Sequence, residues 1–148
     1  NRAIYIFKGA KDLKEGFSYN IQVNQIYDFY GLKEIKDFNI LKENSSFKNY
    51  KDLFLDGSKI DIFDFKYENE VITNLKGFIT KGNLQINGGK TIKLFAKDKN
   101  ILPKDGSTIE ILNAQLGSYR GNMQIIFHTK DDYKELKWAK KVAKKIDC

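Results

Sequence analysis

The chain has 148 residues, of which 41% are hydrophobic and 14% aromatic, enough for the core of one ordinary domain or two small ones. A single Cys (Cys148) excludes an intrachain disulfide, and a single His (His128) excludes zinc sites built from several Cys and His residues. The net charge is +7, and no apolar run reaches the ~20 residues that a membrane-spanning helix needs.

The positive charge is concentrated in the second half of the chain. Residues 1–74 carry 11 basic and 12 acidic side chains, whereas residues 75–148 carry 15 basic and 7 acidic ones. A basic half favours a polyanionic partner, either a nucleic acid or an anionic surface. The alternative is that a lysine-rich composition serves solubility alone.

The first elements in chain order are short strands. Residues 4–7 alternate in a way that predicts a strand with Ile4 and Ile6 facing inward and Tyr5 and Phe7 facing outward. A second strand, an aromatic turn and a third strand follow. The turn contains three aromatic residues, which either contact a ligand or dock onto the second half of the chain: Tyr27, Phe29 and Tyr30.

The second half predicts five short strands without an intervening long helix. Residues 91–97 alternate strictly, with Ile92, Leu94 and Ala96 on one face and Lys93 and Phe95 on the other. The strands predicted by this alternation and by Gly-containing turns cover residues 71–80, 84–86, 91–97, 108–116 and 123–129. Such a succession is typical of a small barrel, with a bulge or bend expected at Gly77.

The two halves share a pattern. Residues 14–21 align with residues 104–111 at an offset of 90, and the alignment continues to Gly31 over Gly121. Residues 4–7 align with residues 92–95 at an offset of 88. The first copy lacks its two opening strands. Either these strands would lie before Asn1 and were removed, or another segment supplies them. The candidate segment is residues 52–70, where four residues are strand-like: Ile60, Ile62, Phe63 and Phe65.

The end of the chain predicts an amphipathic helix over residues 131–148. Asp132 and Glu135 have the spacing of a capping box. An apolar stripe at helical spacing follows, with lysines on the remaining faces. We expect the stripe to pack on the barrel, although binding to an anionic surface is an alternative.

Two segments resemble strands four and five of bacterial OB folds. They are residues 12–35, with Tyr30-Gly31 between the strands, and residues 104–125, with Tyr119-Arg120-Gly121 there. The chain is similar to OB-fold modules that accompany bacterial extracellular nucleases. The resemblance implies an all-β fold of tandem OB-like barrels. The first is incomplete (residues 1–70), the second is complete (residues 71–130), and one C-terminal helix follows (residues 131–148).

This resemblance implies binding of single-stranded nucleic acid, DNA or RNA, with weak sequence preference. A nonspecific binder of single strands needs cations along a groove and flat rings on which bases stack. Phe95 between two lysines on an outward face has this character, and the turn after the fourth strand lies at a common binding rim. The predicted binding residues are Lys81, Lys90, Lys93, Phe95, Tyr119, Arg120 and Tyr30.

No catalytic residue, metal ligand or cofactor is predicted, and His128 is expected to be a structural polar residue. The main alternative function is a protein-interaction or assembly module of a secreted or envelope complex, in which the outward aromatics contact a protein partner. Glycan binding through Tyr119 and Tyr30 is a third. The oligomeric state stays open. So does the compartment, with an extracytoplasmic location favoured.

Overall fold

The protein is an all-β chain, as the sequence predicts. The computed structural model describes residues 3–47 and 49–136. Within these ranges the regular structure consists of twelve β-strands and five single turns of 3-10 helix, with no α-helix. The strands form one three-stranded and one nine-stranded sheet.

The three-stranded sheet is an N-terminal ribbon with a short third strand at its edge. Strand β3 lies in the middle, antiparallel to β2 and parallel to β1. Isoleucine, valine and aromatic residues recur along both long strands, and such side chains favour extended backbone. Irregularities in the ladder, among them one between Val23 and Gln25, bend the ribbon. The strands are β1 (Tyr5–Ile6), β2 (Phe17–Phe29) and β3 (Leu32–Phe47).

The nine-stranded sheet has the order β12-β9-β6-β7-β8-β11-β10-β5-β4. Strand β8 runs parallel to β11, and β4 runs parallel to β5. All other neighbours are antiparallel. The strands are β4 (Leu55–Asp56), β5 (Val71–Thr73), β6 (Leu75–Thr80), β7 (Asn83–Gln85), β8 (Thr91–Ala96), β9 (Thr108–Ile111), β10 (Ala114–Tyr119), β11 (Asn122–Phe127) and β12 (Tyr133–Glu135).

The predicted strand over residues 71–80 is interrupted at Asn74, not at Gly77. Asn74 has a φ of 56°, a left-handed value that asparagine tolerates better than most residues, and it separates β5 from β6. Gly77 has a different role. A Cβ at Gly77 would lie 2.5 Å from the carbonyl oxygen of Gln85, so glycine permits the close approach of β6 and β7.

The core lies inside the nine-stranded sheet. The predicted alternation of β8 is confirmed: Ile92, Leu94 and Ala96 are buried, whereas Lys93 and Phe95 are exposed. The fully buried side chains of the other strands contact them in one cluster. These include Ile72, Ile79, Leu84, Ile109, Ile111, Leu116, Ile125 and Phe127.

The ribbon packs against the outer face of β10 and β11. Leu32 and Ile35 of β3 are buried, as is Ile126 of β11. A Cβ at Gly117 of β10 would collide with the side chain of Ile126, so glycine makes room for Ile126 beneath Leu32 of the ribbon. The amide of Asn69 donates a hydrogen bond of 2.7 Å to a ribbon carbonyl. The two halves are therefore joined by apolar packing and by a partly buried hydrogen bond.

Two predicted details of the first half are wrong. Ile4 does not face inward: 45% of it is exposed, because β1 is a two-residue strand at the edge of the ribbon. Residues 60–65 do not form a strand. Asp61 and Asp64 accept hydrogen bonds from backbone amides two residues ahead, and these local turns compete with a strand ladder.

The predicted start of the C-terminal helix is also wrong. The Asp132 carboxylate accepts hydrogen bonds from the amides of His128 and Thr129, so it closes a 3-10 turn. Residues 133–135 then pair with β9 as strand β12, and the Tyr133 hydroxyl donates to the carbonyl oxygen of Ile101. Tertiary contacts thus favour a strand over a first helical turn. The rest of the predicted helix, residues 137–148, lies outside the described residues.

Candidate nucleic-acid interface

Three two-residue turns hold bulky side chains in a left-handed backbone conformation. They are Tyr30-Gly31, Lys81-Gly82 and Arg120-Gly121, which close the hairpins β2–β3, β6–β7 and β10–β11. Both residues of each turn have positive φ, the geometry of a type I′ turn. Glycine suits the second position. The first favours Asn, Asp or Gly, because a Cβ crowds the backbone there.

At other positions with positive φ the chain has asparagine, which tolerates this conformation well. Among the described residues, the other non-glycine positions with positive φ are occupied by asparagine, at Asn69 and Asn74. Within the described part of the chain, tyrosine, lysine and arginine therefore adopt a positive φ only at the three hairpin tips. A bulky residue in this region costs about 1 kcal/mol. All three are among the predicted binding residues.

Two of these turns contact each other. The backbone amide of Arg120 donates a 3.1 Å hydrogen bond to the carbonyl oxygen of Tyr30. The guanidinium carbon of Arg120 lies 5.0 Å from the ring centre of Tyr30 and 5.3 Å from that of Tyr119. The two tyrosine rings lie 4.8 Å apart, and Phe29 contacts both. We call Phe29, Tyr30, Tyr119 and Arg120 the turn junction.

The sequence left open whether the aromatic turn of the first half contacts a ligand or docks onto the second half. The aromatic turn of the first half does dock onto the second half, yet 51% of Tyr30 stays exposed. Arg120 is exposed as well, so its guanidinium is available to solvent while it contacts two rings. Rings and a cation held in this way can offer both stacking surfaces and a phosphate partner.

The exposed face of β8 carries Lys93 and Phe95. Lys93 pairs with Asn83 of β7 and with Gln124 of β11, so it lies in the middle of three strands. Phe95 is two residues further along the same face, and 40% of it is exposed. Phe95 pairs with Ile126 of β11, which is buried. The Phe95 ring therefore lies on the outer face of the sheet and not in the core.

The two remaining predicted residues lie apart from each other. The amide of Leu94 donates to the carbonyl oxygen of Gly82, which positions the Lys81 turn beside the second half of β8. Lys90 precedes β8 at its other end, and its ammonium nitrogen lies 5.7 Å from the ring centre of Phe63. The structure thus brings Tyr30, Tyr119 and Arg120 together. Lys81 and Lys90 flank the strand between them.

The sequence interpretation missed four lysines whose ammonium nitrogens lie near aromatic rings: Lys8, Lys14, Lys36 and Lys66. Two of them, Lys8 and Lys36, lie beside the rings of the first half that face the turn junction. The ammonium nitrogen of Lys8 lies 5.7 Å from the ring centre of Phe7, and that of Lys36 lies 5.6 Å from the ring centre of Tyr27. Lys8 directly follows its ring in the sequence, so a search for adjacent Phe-Lys pairs could have found it. Lys36 reaches Tyr27 across the bulged ladder, and no local sequence signal predicts that contact.

The buried side chains of Asn69 and Gln115 form a polar network that connects the ribbon to the more exposed His128. The Asn69 amide donates to the carbonyl oxygen of Lys33, and its oxygen accepts from the amide of Gln115 over 2.8 Å. The Gln115 oxygen lies 2.8 Å from Nε2 of His128. The Lys33 carbonyl can only accept a hydrogen bond, so the amide nitrogens of Asn69 and then Gln115 must be the donors in this series of hydrogen bonds. The Gln115 oxygen is therefore an acceptor, and Nε2 of His128 must carry the proton.

The surroundings of His128 indicate a structural role. The Tyr5 ring stacks on the imidazole with ring centres 5.1 Å apart. Burial lowers the pKa of His128, and the negative charge of Asp132 opposes that effect. The ring and its partners line a cavity of about 430 Å³. His128 therefore couples Tyr5 of the ribbon to the amide network.

Glu34 is a buried carboxylate in β3. It is 6% exposed, and among the described residues its Oε2 atom has no hydrogen-bond partner. Burial raises its pKa. Glu34 pairs with Tyr5 on one side and with Tyr27 on the other, so two tyrosines flank it across the ribbon.

No protein-family model, curated protein or solved structure matches the chain. In the part of the chain that the structure describes, no helix has the length and hydrophobicity to cross a membrane. Residues 3–47 and 49–136 also contain no group of three or more His, Cys, Asp or Glu side chains that could hold a metal ion.

Proposed function

We propose that the protein is a non-enzymatic module that binds single-stranded nucleic acid with weak sequence preference. The observation that carries this proposal is that Tyr30, Lys81 and Arg120 occupy strained, positive-φ positions at three hairpin tips. Conformational strain persists where it serves a function, and these side chains are two cations and one ring. Cations and exposed rings are what nonspecific binding of single strands requires.

We further propose that the second half is an OB-like unit. Its support is the pairing order: β6 pairs with β7, β7 with β8, β8 in parallel with β11, and β11 with β10. In addition β10 pairs with β5 and β9 pairs with β6. If residues 71–80 and 108–119 are each treated as one bent strand, this is the order of a five-stranded OB fold, whose ligands bind around strands two and three.

The ribbon corresponds, in this proposal, to the last three strands of a second such unit. The strand order β1-β3-β2 and its directions match those of β8-β11-β10. The register supports the same alignment, since Tyr5 pairs with Glu34 just as Lys93 pairs with Gln124. The two turns of the turn junction then occupy equivalent positions in the two units.

The binding residues on β8 fit a single strand better than a duplex. Stacking on Phe95 or Tyr30 requires an unpaired base, because the faces of paired bases are covered by their neighbours in a duplex. Lys93 and Lys81 would neutralise phosphates of the same strand. The charge distribution agrees with this arrangement, because residues 75–148 carry the excess of basic side chains.

Fluorescence anisotropy with labelled single strands at several salt concentrations tests the proposal. Four cations of the predicted site are available, and each phosphate contact on a single strand contributes about −0.7 to the slope of log affinity against log salt. We expect a slope of about −3 or steeper. A flat salt response, or equal affinity for a duplex of the same length, would contradict the proposal.

A second candidate is a protein-interaction or assembly module, and the ribbon is the observation that favours it. Beyond Ile35, described residues of β3 form ladder pairs with β2 alone. This part of the ribbon exposes apolar side chains, including Ile40 and Leu41, the latter 65% exposed. Phe95→Ala and Leu41→Asn together separate the candidates. Lost oligonucleotide binding in the Phe95 variant with unchanged oligomeric state supports the first, whereas a changed oligomeric state in the Leu41 variant with unchanged oligonucleotide binding supports the second.

A further inference from the structure

Five aromatic rings form a continuous row from the edge of the ribbon to the turn junction. Neighbouring ring centres along the row are separated by 6.2, 6.1, 5.0 and 4.8 Å. One ring directly follows β1, two belong to β2, one lies in the turn after β2, and one ends β10. We call this row the aromatic track, and its rings in spatial order are Phe7, Tyr27, Phe29, Tyr30 and Tyr119.

The aromatic track stays open to solvent along its length. Phe7, Tyr27 and Tyr30 are 43%, 38% and 51% exposed, whereas Phe29, inside the row, and Tyr119, at its end, are half-buried. A cluster that served only to fix the ribbon would bury its rings, because apolar burial is what stabilises such packing. The exposed rings therefore leave stacking surface unused within the chain.

Both ends of the aromatic track and its second ring, Tyr27, carry a cation. Lys8 lies over Phe7, Lys36 lies over Tyr27, and Arg120 lies over Tyr30 and Tyr119. The carboxylate nearest in sequence, Asp28, already accepts hydrogen bonds from Lys33 and from the amide of Gly31. Positive charge that alternates with exposed rings is complementary to a flexible chain of phosphates and bases.

We propose that the aromatic track is a second part of the nucleic-acid interface, so that one single strand binds along the ribbon and across the turn junction. This inference rests on the proposed function and extends it, because the ribbon then contacts the ligand itself. Lys8 and Lys36 neutralise phosphates, while Phe7, Tyr27 and Tyr30 stack on bases. Strands long enough to reach the ribbon bind more tightly than short ones.

Replacing lysines by alanine tests whether a single strand binds the aromatic track, and it leaves the packing of the rings in place. The double variant Lys8→Ala/Lys36→Ala removes both ribbon cations, and Lys42→Ala/Lys51→Ala removes two exposed lysines outside the track as a matched control. Single strands of about 6 and about 16 nucleotides span the range of site sizes of such modules. With six cations in contact, the salt slope for the longer strand is about −4.

We expect the track variant to reduce the slope for the longer strand to about −3 and to leave binding of the shorter strand unchanged. The control variant should retain the full slope. Equal losses in both variants would overturn the track, because they would reflect net charge alone. No loss in the track variant, with binding still sensitive to Arg120→Ala, would overturn the track and leave the proposed function standing. Absence of binding by the unmodified protein would overturn both.

A ring exchange gives an independent readout. Tyr27→Ala should weaken binding of the longer strand roughly tenfold, which is within the range for loss of one stacked base. Phe65→Ala, which removes another exposed ring outside the track, should leave the affinity unchanged. If the longer strand binds equally well to both variants, the track does not stack bases. Thermal unfolding of each variant shows whether the ribbon remains folded.

Discussion

Replacing Lys81 by Asn should stabilise the protein and weaken its binding of nucleic acid. Lys81 occupies the first position of a type I′ turn with a φ of 52°, where asparagine is more favourable. Within the structure described, no aromatic ring or carboxylate pairs with the Lys81 ammonium group. The strain of about 1 kcal/mol is therefore uncompensated, and its relief should raise Tm by about 3 °C.

Arg120→Asn also places asparagine at the first position of a type I′ turn, but we expect it to leave the stability nearly unchanged. Arg120 has a φ of 49°, but its guanidinium contacts the rings of Tyr30 and Tyr119. Each such contact contributes about 0.5 kcal/mol at an exposed site. The lost contacts offset the relieved strain, so the free energy of unfolding should change little.

Urea denaturation and thermal scans of both variants check the magnitudes, and Lys104→Asn controls for the loss of one positive charge. If Lys81→Asn is no more stable than Lys104→Asn, the strain at the hairpin tips has been overestimated. If Lys81→Asn gains stability and keeps its full affinity and salt dependence, Lys81 is not retained for binding. Either result would remove the main argument for the proposed interface.

Three further predictions concern stability. Glu34→Gln should stabilise the protein by about 1 kcal/mol at pH 8, since it removes a buried charge. The gain should begin to shrink as the pH falls below the raised pKa of Glu34 in the folded protein, and it should vanish below the ordinary glutamate pKa of the unfolded chain, where both states are protonated. The lowered pKa of His128 means that the unfolded chain binds a proton more readily than the folded one. Wild-type stability should therefore decline as the pH falls below about 6.5, and His128→Gln should flatten that decline in urea titrations. Gly77→Ala should destabilise the protein by about 2 kcal/mol in the same assay, because the new Cβ would meet the Gln85 carbonyl, and an unchanged midpoint would show that β7 can move away.

The alternation of polar and apolar residues was sufficient to predict much of the second half. Residues 91–97 read as one strand with a buried and an exposed face, and the structure confirms both faces. This works because side chains in a strand alternate between faces, so one buried face imposes its period on the sequence. The same reasoning failed at residues 60–65. There, aspartate side chains form turns that no hydrophobic pattern reveals.

The candidate site was predictable only in its parts. Tyr30, Lys81 and Arg120 stand before glycines at predicted turns, and such a position is visible in the sequence. That Arg120 lies on Tyr30, and that Lys36 lies on Tyr27, was not visible. These contacts depend on how a bulged ribbon docks on β10 and β11, and the ladder irregularities alter which side chains become neighbours.

The order of residues alone determined that this chain is built from strands, that its charge gathers in the second half, and which side chains of β8 face the core. Those properties follow from local period and composition, which each segment carries by itself. Tertiary structure decided that residues 133–135 extend a sheet and do not open a helix, and that the hairpin tips of Tyr30 and Arg120 meet. Both outcomes depend on packing between segments far apart in the chain. A one-residue shift in the register of the paired strands would bring different side chains into contact.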